Sequence, residues 1–128
     1  MAVQYAKKWI GHGNSITYSG ASLKLPDGYS QKKLIHQSIT YHKGKLYASF
    51  GYDSSSFRRI LVSTVSYRAI CRGGTKKLKM TMDLKIENLV SIEAEDVAFH
   101  RGRMFVICNG YEKQSENWKH HNGIYRLK

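Results

Sequence analysis

The sequence predicts an all-β fold of antiparallel, propeller-like blades. Three observations predict it: an internal repeat, strand-type alternation within each copy, and no convincing amphipathic helix anywhere in 128 residues. Residues 36–50 align with residues 94–108 at a constant offset of 58 (100 − 42 for the histidines, 102 − 44 for the glycines). His42 and Gly44 recur as His100 and Gly102. Lys43 and Lys45 recur as Arg101 and Arg103, and the apolar Ile39, Tyr41, Leu46 and Tyr47 as Val97, Phe99, Met104 and Phe105. A period of this length marks a supersecondary unit used more than once.

Each element of the unit has a local reason. Residues 39–41 and 97–99 alternate as half-buried strands do. The His-basic-Gly-basic segment that follows is a tight turn, because glycine takes the positive φ a two-residue hairpin needs. Residues 46–50 and 104–108 are nearly continuous apolar runs, as in strands covered on both faces. After the first hairpin come a Ser-rich loop at 52–56 and a β-branched run at 60–65. After the second come a polar loop at 112–122 and the closing run 124–127. A hairpin followed by a third strand at this period fits a propeller blade better than a solenoid coil.

The remaining segments extend the pattern. Residues 76–82 alternate and read as the outer strand of the first blade. Residues 10–13 and 15–18 read as a further hairpin, and 83–93 has room for one helical turn. Pro26-Asp27-Gly28 and Gly73-Gly74 are turn signals. The chain is thus expected to be a single β domain over 1–128, with repeat cores at about 36–65 and 94–128. Blades of roughly 40–60 residues give two of them and part of a third, whereas closed propellers use about four to eight. An open set leaves strand edges and an apolar face uncovered. Completion by further blades or by self-association is therefore expected.

Lys plus Arg number 21 against 9 Asp plus Glu, a net charge of +12. A surface this basic favours encounters with polyanions such as nucleic acid, anionic lipid or an acidic cell-wall polymer. Seven cations and no acid fall between Arg58 and Lys79; five acids and one lysine fall between Asp83 and Asp96. No apolar run reads as a signal peptide or membrane span. Release by a non-classical route, or else a cytoplasmic location, is the expectation. Cys108 sits in an apolar run and reads as a small buried hydrophobe. Neither it nor Cys71 has zinc-ligand spacing, so no metal or other cofactor is predicted.

Catalytic motifs are not found. Glu95 and Asp96 are adjacent, and neighbours on a strand face opposite ways, which is wrong for a carboxylate pair flanking a scissile bond. The position equivalent to Glu95 is the uncharged Gln37. There is no Ser-nucleophile elbow and no phosphate-cradling glycine loop. His42 and His100 recur at hairpin ends, which argues for a turn role. Ligand contact is expected from Gln37 and Glu95 and from three aromatics placed in loops, Tyr52, Tyr111 and Trp118, since aromatic faces beside polar groups suit sugars. Polyanion contact is expected from Lys43, Lys45, Arg101 and Arg103 at the hairpin tips and from Arg58 and Arg59.

Glu93-Ala94-Glu95-Asp96-Val97, then Met104-Phe105-Val106-Ile107, a Lys/Asn-rich polar stretch and the closing Gly123-Ile124-Tyr125-Arg126-Leu127 resemble the C-terminal end of helveticin-J-like bacteriocins. His36-Gln37-Ser38-Ile39 and Leu46-Tyr47-Ala48 resemble the same family's inner-strand pattern, and Trp9-Ile10-Gly11 a further segment. The resemblance implies a β-propeller without a clear signal peptide, and it transfers no catalytic residues. The expected function is a non-enzymatic, bacteriocin-like or lectin-like module that recognises an anionic or glycan-bearing bacterial surface, either alone or as a homo-oligomer. The alternative is a basic nucleic-acid-binding or inhibitor-type protein using the stretch from Arg58 to Lys79.

Overall fold

In chain order the strands are β1 (Ile10–His12), β2 (Ser15–Tyr18), β3 (Ala21–Lys24), β4 (Leu34–His42), β5 (Lys45–Tyr52) and β6 (Arg59–Ser66). A short helix α1 (Tyr67–Cys71) follows, then β7 (Gly74–Lys77), β8 (Lys79–Lys85), β9 (Ser91–His100), β10 (Arg103–Gln114), β11 (Asn117–His120) and β12 (Gly123–Arg126). This computed structural model describes residues 10–12, 15–18, 21–29, 34–52, 57–87, 89, 91–114, 117–120 and 123–126. The chain is mostly β, its sheets are antiparallel but for one pair of strands, and there is no helical bundle among the described residues.

Three four-stranded sheets are formed, ordered β1-β2-β3-β7, β4-β5-β6-β8, and β9-β10 with β12 and β11 sharing the far edge of β10. They stack, with the second in the middle. Leu23 and Leu25 of the first layer pack with Leu46, Ala48, Phe50, Leu61 and Val65 of the second. Ile60, Val62 and Met82 on its opposite face pack with Ile92, Ala94, Val97, Met104, Val106 and Cys108 of the third. Consecutive side chains of a strand point to opposite faces. So Leu61 enters one core while Ile60 and Val62 enter the other, which is why β6 is β-branched and apolar along most of its length.

The repeat holds at backbone level. Both hairpins close through turns with two positive-φ residues, Lys43 (45°) and Gly44 (78°) in one, Arg101 (50°) and Gly102 (75°) in the other. These are type I′ angles, which match the strand twist. Both copies also carry a β-bulge at the same place. His36 pairs with Phe50 and Ser38 with Ser49, leaving Gln37 extra. Ala94 pairs with Cys108 and Asp96 with Ile107, leaving Glu95 extra. Gly102→Ala is expected to cost about 1–2 kcal/mol, the backbone penalty of a left-handed residue. The nearest atom to the added carbon would be Lys43 Nζ at 3.9 Å, so crowding contributes little. A urea midpoint unchanged by this substitution would contradict the turn assignment.

Several expectations need correction. Residues 76–82 are not one strand: β7 pairs parallel with β3, and β8 pairs with β6. The break is at buried Leu78, whose N–H donates to Lys24 O at 2.7 Å, so this stretch stitches two sheets together. No helical turn lies among the described residues of 83–93. The helix follows β6 instead, with Ser66 Oγ accepting from Ala69 N at 3.3 Å. The polar stretch 112–122 is largely paired: β10 runs on to Gln114 and meets β11. Residues 53–56, 121–122 and 127 lie outside the described residues, as do Trp9 and Gly13. The N-terminal hairpin is present, with Ile10 opposite Thr17. Both cysteines are free, Cys71 exposed and Cys108 buried, and burial pushes the Cys108 thiol up to about 12. Among the described residues no helix is long and apolar enough to cross a membrane.

Candidate functional site

The two recurring hairpin tips lie side by side. Lys43 Nζ comes within 3.9 Å of the point where a side chain on Gly102 would start. Phe99, from the third sheet, stacks on His42 with ring centroids 3.9 Å apart and leans on Tyr47 at 4.7 Å. These rings bring the ends of the second and third sheets together. Lys43, Lys45, Arg101 and Arg103 are all exposed there. The ion pairs among the described residues join Arg59 to Asp83, Lys77 to Asp27 and Lys85 to Glu87, and use none of the four tip cations.

Beside the first tip is a cavity of about 570 Å³ lined by Tyr41, Gly44, Ser66, Tyr67, Arg68 and Cys71. Tyr67 N donates to Gly44 O at 2.9 Å, which fixes the helix to the turn. The rings of Tyr41 and Tyr67 meet edge to face at 5.6 Å. Tyr41 is 43% exposed, and the cation Arg68 stands next to this pair. Sequence reasoning missed this wall. Tyr41 reads as an ordinary strand aromatic, and Tyr67 and Arg68 become neighbours of the turn only through the short helix.

Arg58 and Arg59 are elsewhere. Ser66 lies opposite Lys45 at the tip, whereas Leu61 lies opposite Phe50, so the start of β6 is at the far end of the sheet. Arg59 Nε donates to Asp83 Oδ1 at 2.8 Å and Nη2 donates to Oδ2. Its guanidinium also lies 6.0 Å above the Tyr29 ring, and the Tyr29 hydroxyl donates to Asp83. Burial opposes the Asp83 carboxylate, but the hydrogen bonds from Arg59 and Tyr29 outweigh it and hold its pKa below the ordinary range. Arg59 is therefore engaged by Asp83 within the molecule, with 47% of its side chain exposed. The seven cations from Arg58 to Lys79 are divided between opposite ends of the middle sheet and the β7–β8 stitch, where Lys77 donates to Asp27 at 2.8 Å.

A second polar group forms at the bulges, about five residues or roughly 17 Å along the strands from the tips. Gln37 and Glu95 both belong to it. A Cβ on Gly51 would overlap Glu93 Oε2 and approach Gln37 Nε2 to 2.7 Å, so glycine there admits both side chains. Burial, then the neighbouring charge and hydrogen bond of Glu93, raise the pKa of Glu95; a hydrogen bond with Asn109 works against them. Asn109 Oδ1 is buried without a partner among the described atoms. Sequence reasoning missed Glu93 and Asn109, although residues two apart on a strand share a face, which was the available signal for Glu93. Two carboxyls sharing a hydrogen bond are closer than the roughly 5 Å separation of glycosidase pairs.

The three aromatics expected in loops are on strands. Tyr52 ends β5, Tyr111 lies within β10, and Trp118 is on β11 opposite Lys113. Nor are the two tyrosines equivalent. Tyr52 pairs with Leu34, whose counterpart Ile92 pairs with Gly110, one residue before Tyr111. One step along a strand reverses the face. No protein-family model, curated protein or solved structure matches this chain.

Proposed function

We propose that the protein is a propeller-type binding module whose paired hairpin tips hold an anionic, sugar-bearing polymer of a bacterial surface. The observation that carries the reading is the abutment of the two tips, which gathers Lys43, Lys45, Arg101 and Arg103 into one exposed patch. A polymer with regularly spaced negative charges meets four cations at once there. The adjoining Tyr41–Tyr67 wall offers aromatic faces to sugar rings, as carbohydrate sites do. Stacked four-stranded sheets, two of which contain a type I′ hairpin, support the blade reading. The resemblance to helveticin-J-like proteins supports the bacterial surface as the place of binding. Gln37 and Glu95, with Glu93 and Asn109, form a second and more selective polar contact region.

The test is binding to purified anionic wall polymer and to a neutral polysaccharide across a salt series. Exposed charges are screened within about 8 Å at physiological ionic strength. Affinity for the anionic polymer is expected to fall steeply with salt. The combined K43E, K45E, R101E and R103E variant is expected to lose up to about 1,000-fold at low salt, since four exposed contacts at about 1 kcal/mol or less each sum to at most about 4 kcal/mol. Equal binding by the variant, salt-independent binding, or stronger binding to duplex DNA or RNA of the same charge would overturn the proposal.

A further inference from the structure

We infer that the cavity beside the first hairpin tip receives one acidic sugar unit of the polymer, and that Arg68 reads its carboxylate or phosphate. This rests on the tips holding such a polymer, and it names the unit that the cavity selects. At about 570 Å³ the cavity falls within the roughly 300–1,000 Å³ that small-molecule sites occupy. One turn of helix and one turn of hairpin build its wall. Tyr67, Arg68 and Cys71, at positions i, i+1 and i+4 of α1, share a flank, because successive helical residues lie about 100° apart. Ile70 points away from that flank into the core and is 0% exposed. The bond from Tyr67 N to Gly44 O holds the flank against the turn. Gly44 puts no side chain in the way, and a Cβ there would meet nothing within 4 Å, so this side of the cavity is open.

The lining groups set the chemistry of the occupant. The rings of Tyr41 and Tyr67 stand at 82°, which makes a corner and not a slot. A flat base is best held between parallel rings, whereas a puckered sugar carries C–H groups in two directions and can touch both walls of a corner. Ser66 adds a hydroxyl: its oxygen accepts from Ala69 N at 3.3 Å, which leaves its hydrogen for an acceptor on the ligand. Arg68 decides the charge. It is exposed, the ion pairs among the described residues do not engage it, and no carboxylate lines the cavity among those residues. A guanidinium grips two oxygens of a carboxylate or phosphate in parallel, a geometry that lysine lacks. A neutral sugar leaves this cation without a counter-charge. Lys43 and Lys45, on either side of Gly44 in the chain, then meet the charges of neighbouring units.

Cys71 reports whether the cavity is filled. It is exposed and lines the cavity, whereas Cys108 is 2% exposed. Iodoacetamide, small and neutral, therefore alkylates Cys71 in the folded chain, and a ligand in the cavity slows the reaction. At matched ionic strength, glucuronic acid or glucose 6-phosphate should protect Cys71 at a concentration at least about fivefold below that of glucose, the size of one exposed charge contact. The better protector of the two identifies the anion. R68Q should erase the preference and leave the glucose value unchanged, and Y41A should weaken all three sugars about fivefold. Both side chains reach solvent, and circular dichroism checks that each variant folds. Equal protection by the three sugars, a preference that survives R68Q, or tighter binding of adenosine monophosphate would overturn the inference. So would a Cys71 that no sugar protects in a protein whose polymer binding depends on the four tip cations, and that result leaves the tip reading standing. Protection by acidic sugars with polymer binding indifferent to the tip charges would uphold the cavity and sink the tips.

Discussion

Phe50→Ala is expected to lower the unfolding free energy by about 3–5 kcal/mol, the range for deleting a buried ring. Phe50 is 1% exposed on β5, in the core shared by the first two sheets. It packs with the strand, helix and stitch residues Leu23, Ile70 and Leu78, and the His36 ring meets it edge-on at 6.0 Å. None of these elements can collapse into the void alone, because each is also held by its own ladder. A domain of this size has about 5–15 kcal/mol in all, so the variant should be close to unfolded at 37 °C. At the equivalent position of the second copy, Cys108→Ala removes only a sulfur and should cost much less. Urea unfolding of the two variants decides the matter. A loss below about 1 kcal/mol for Phe50→Ala would mean that this core is not packed as described.

Acidification between pH 6.5 and about 4 is expected to destabilise the protein through His36. Burial lowers the His36 pKa from 6.5 to about 4, against a smaller opposing effect of the Ser38 backbone. In that interval the unfolded chain binds a proton at His36 that the folded chain refuses. Stability therefore falls with pH, fully present above 6.5 and lost on the way down to 4. At about 1.36 kcal/mol per pH unit the loss reaches up to about 3 kcal/mol. Asp83 acts in the same direction but lower, since its depressed pKa means that its stabilisation disappears as pH falls through the folded value. Glu95 acts oppositely: its raised pKa is a penalty above the ordinary carboxylate range that acid relieves. The pair is solvent-exposed enough that this relief stays below about 1 kcal/mol. Comparing urea midpoints of the parent and His36→Gln at pH 7 and pH 4.5 isolates the histidine. The variant should show the flatter dependence; parallel profiles would rule out the mechanism. Because His36 touches Phe50, the double variant should not be additive.

The repeated hairpin is legible from the residues alone. Alternation at 39–41 and 97–99 and the His-basic-Gly-basic turn are local signals, and two-residue turns select their residues through backbone sterics. The burial of Cys108 followed from its apolar strand, and the charged tips were legible because exposed cations at a turn need no partner. The other features depend on pairing between segments far apart in the chain. Adjacency had directed attention to Asp96, whereas in the folded chain Glu95 shares a hydrogen bond with Glu93. Registry, and not spacing from a glycine, separated Tyr52 from Tyr111. Lys76 and Met82 were assigned to different sheets by the parallel pairing of β7, a contact with β3 some fifty residues earlier. The polar stretch after Tyr111 became strand because β10 offered it a partner. In each case the deciding energy came from backbone groups finding partners distant in sequence, which local composition does not encode.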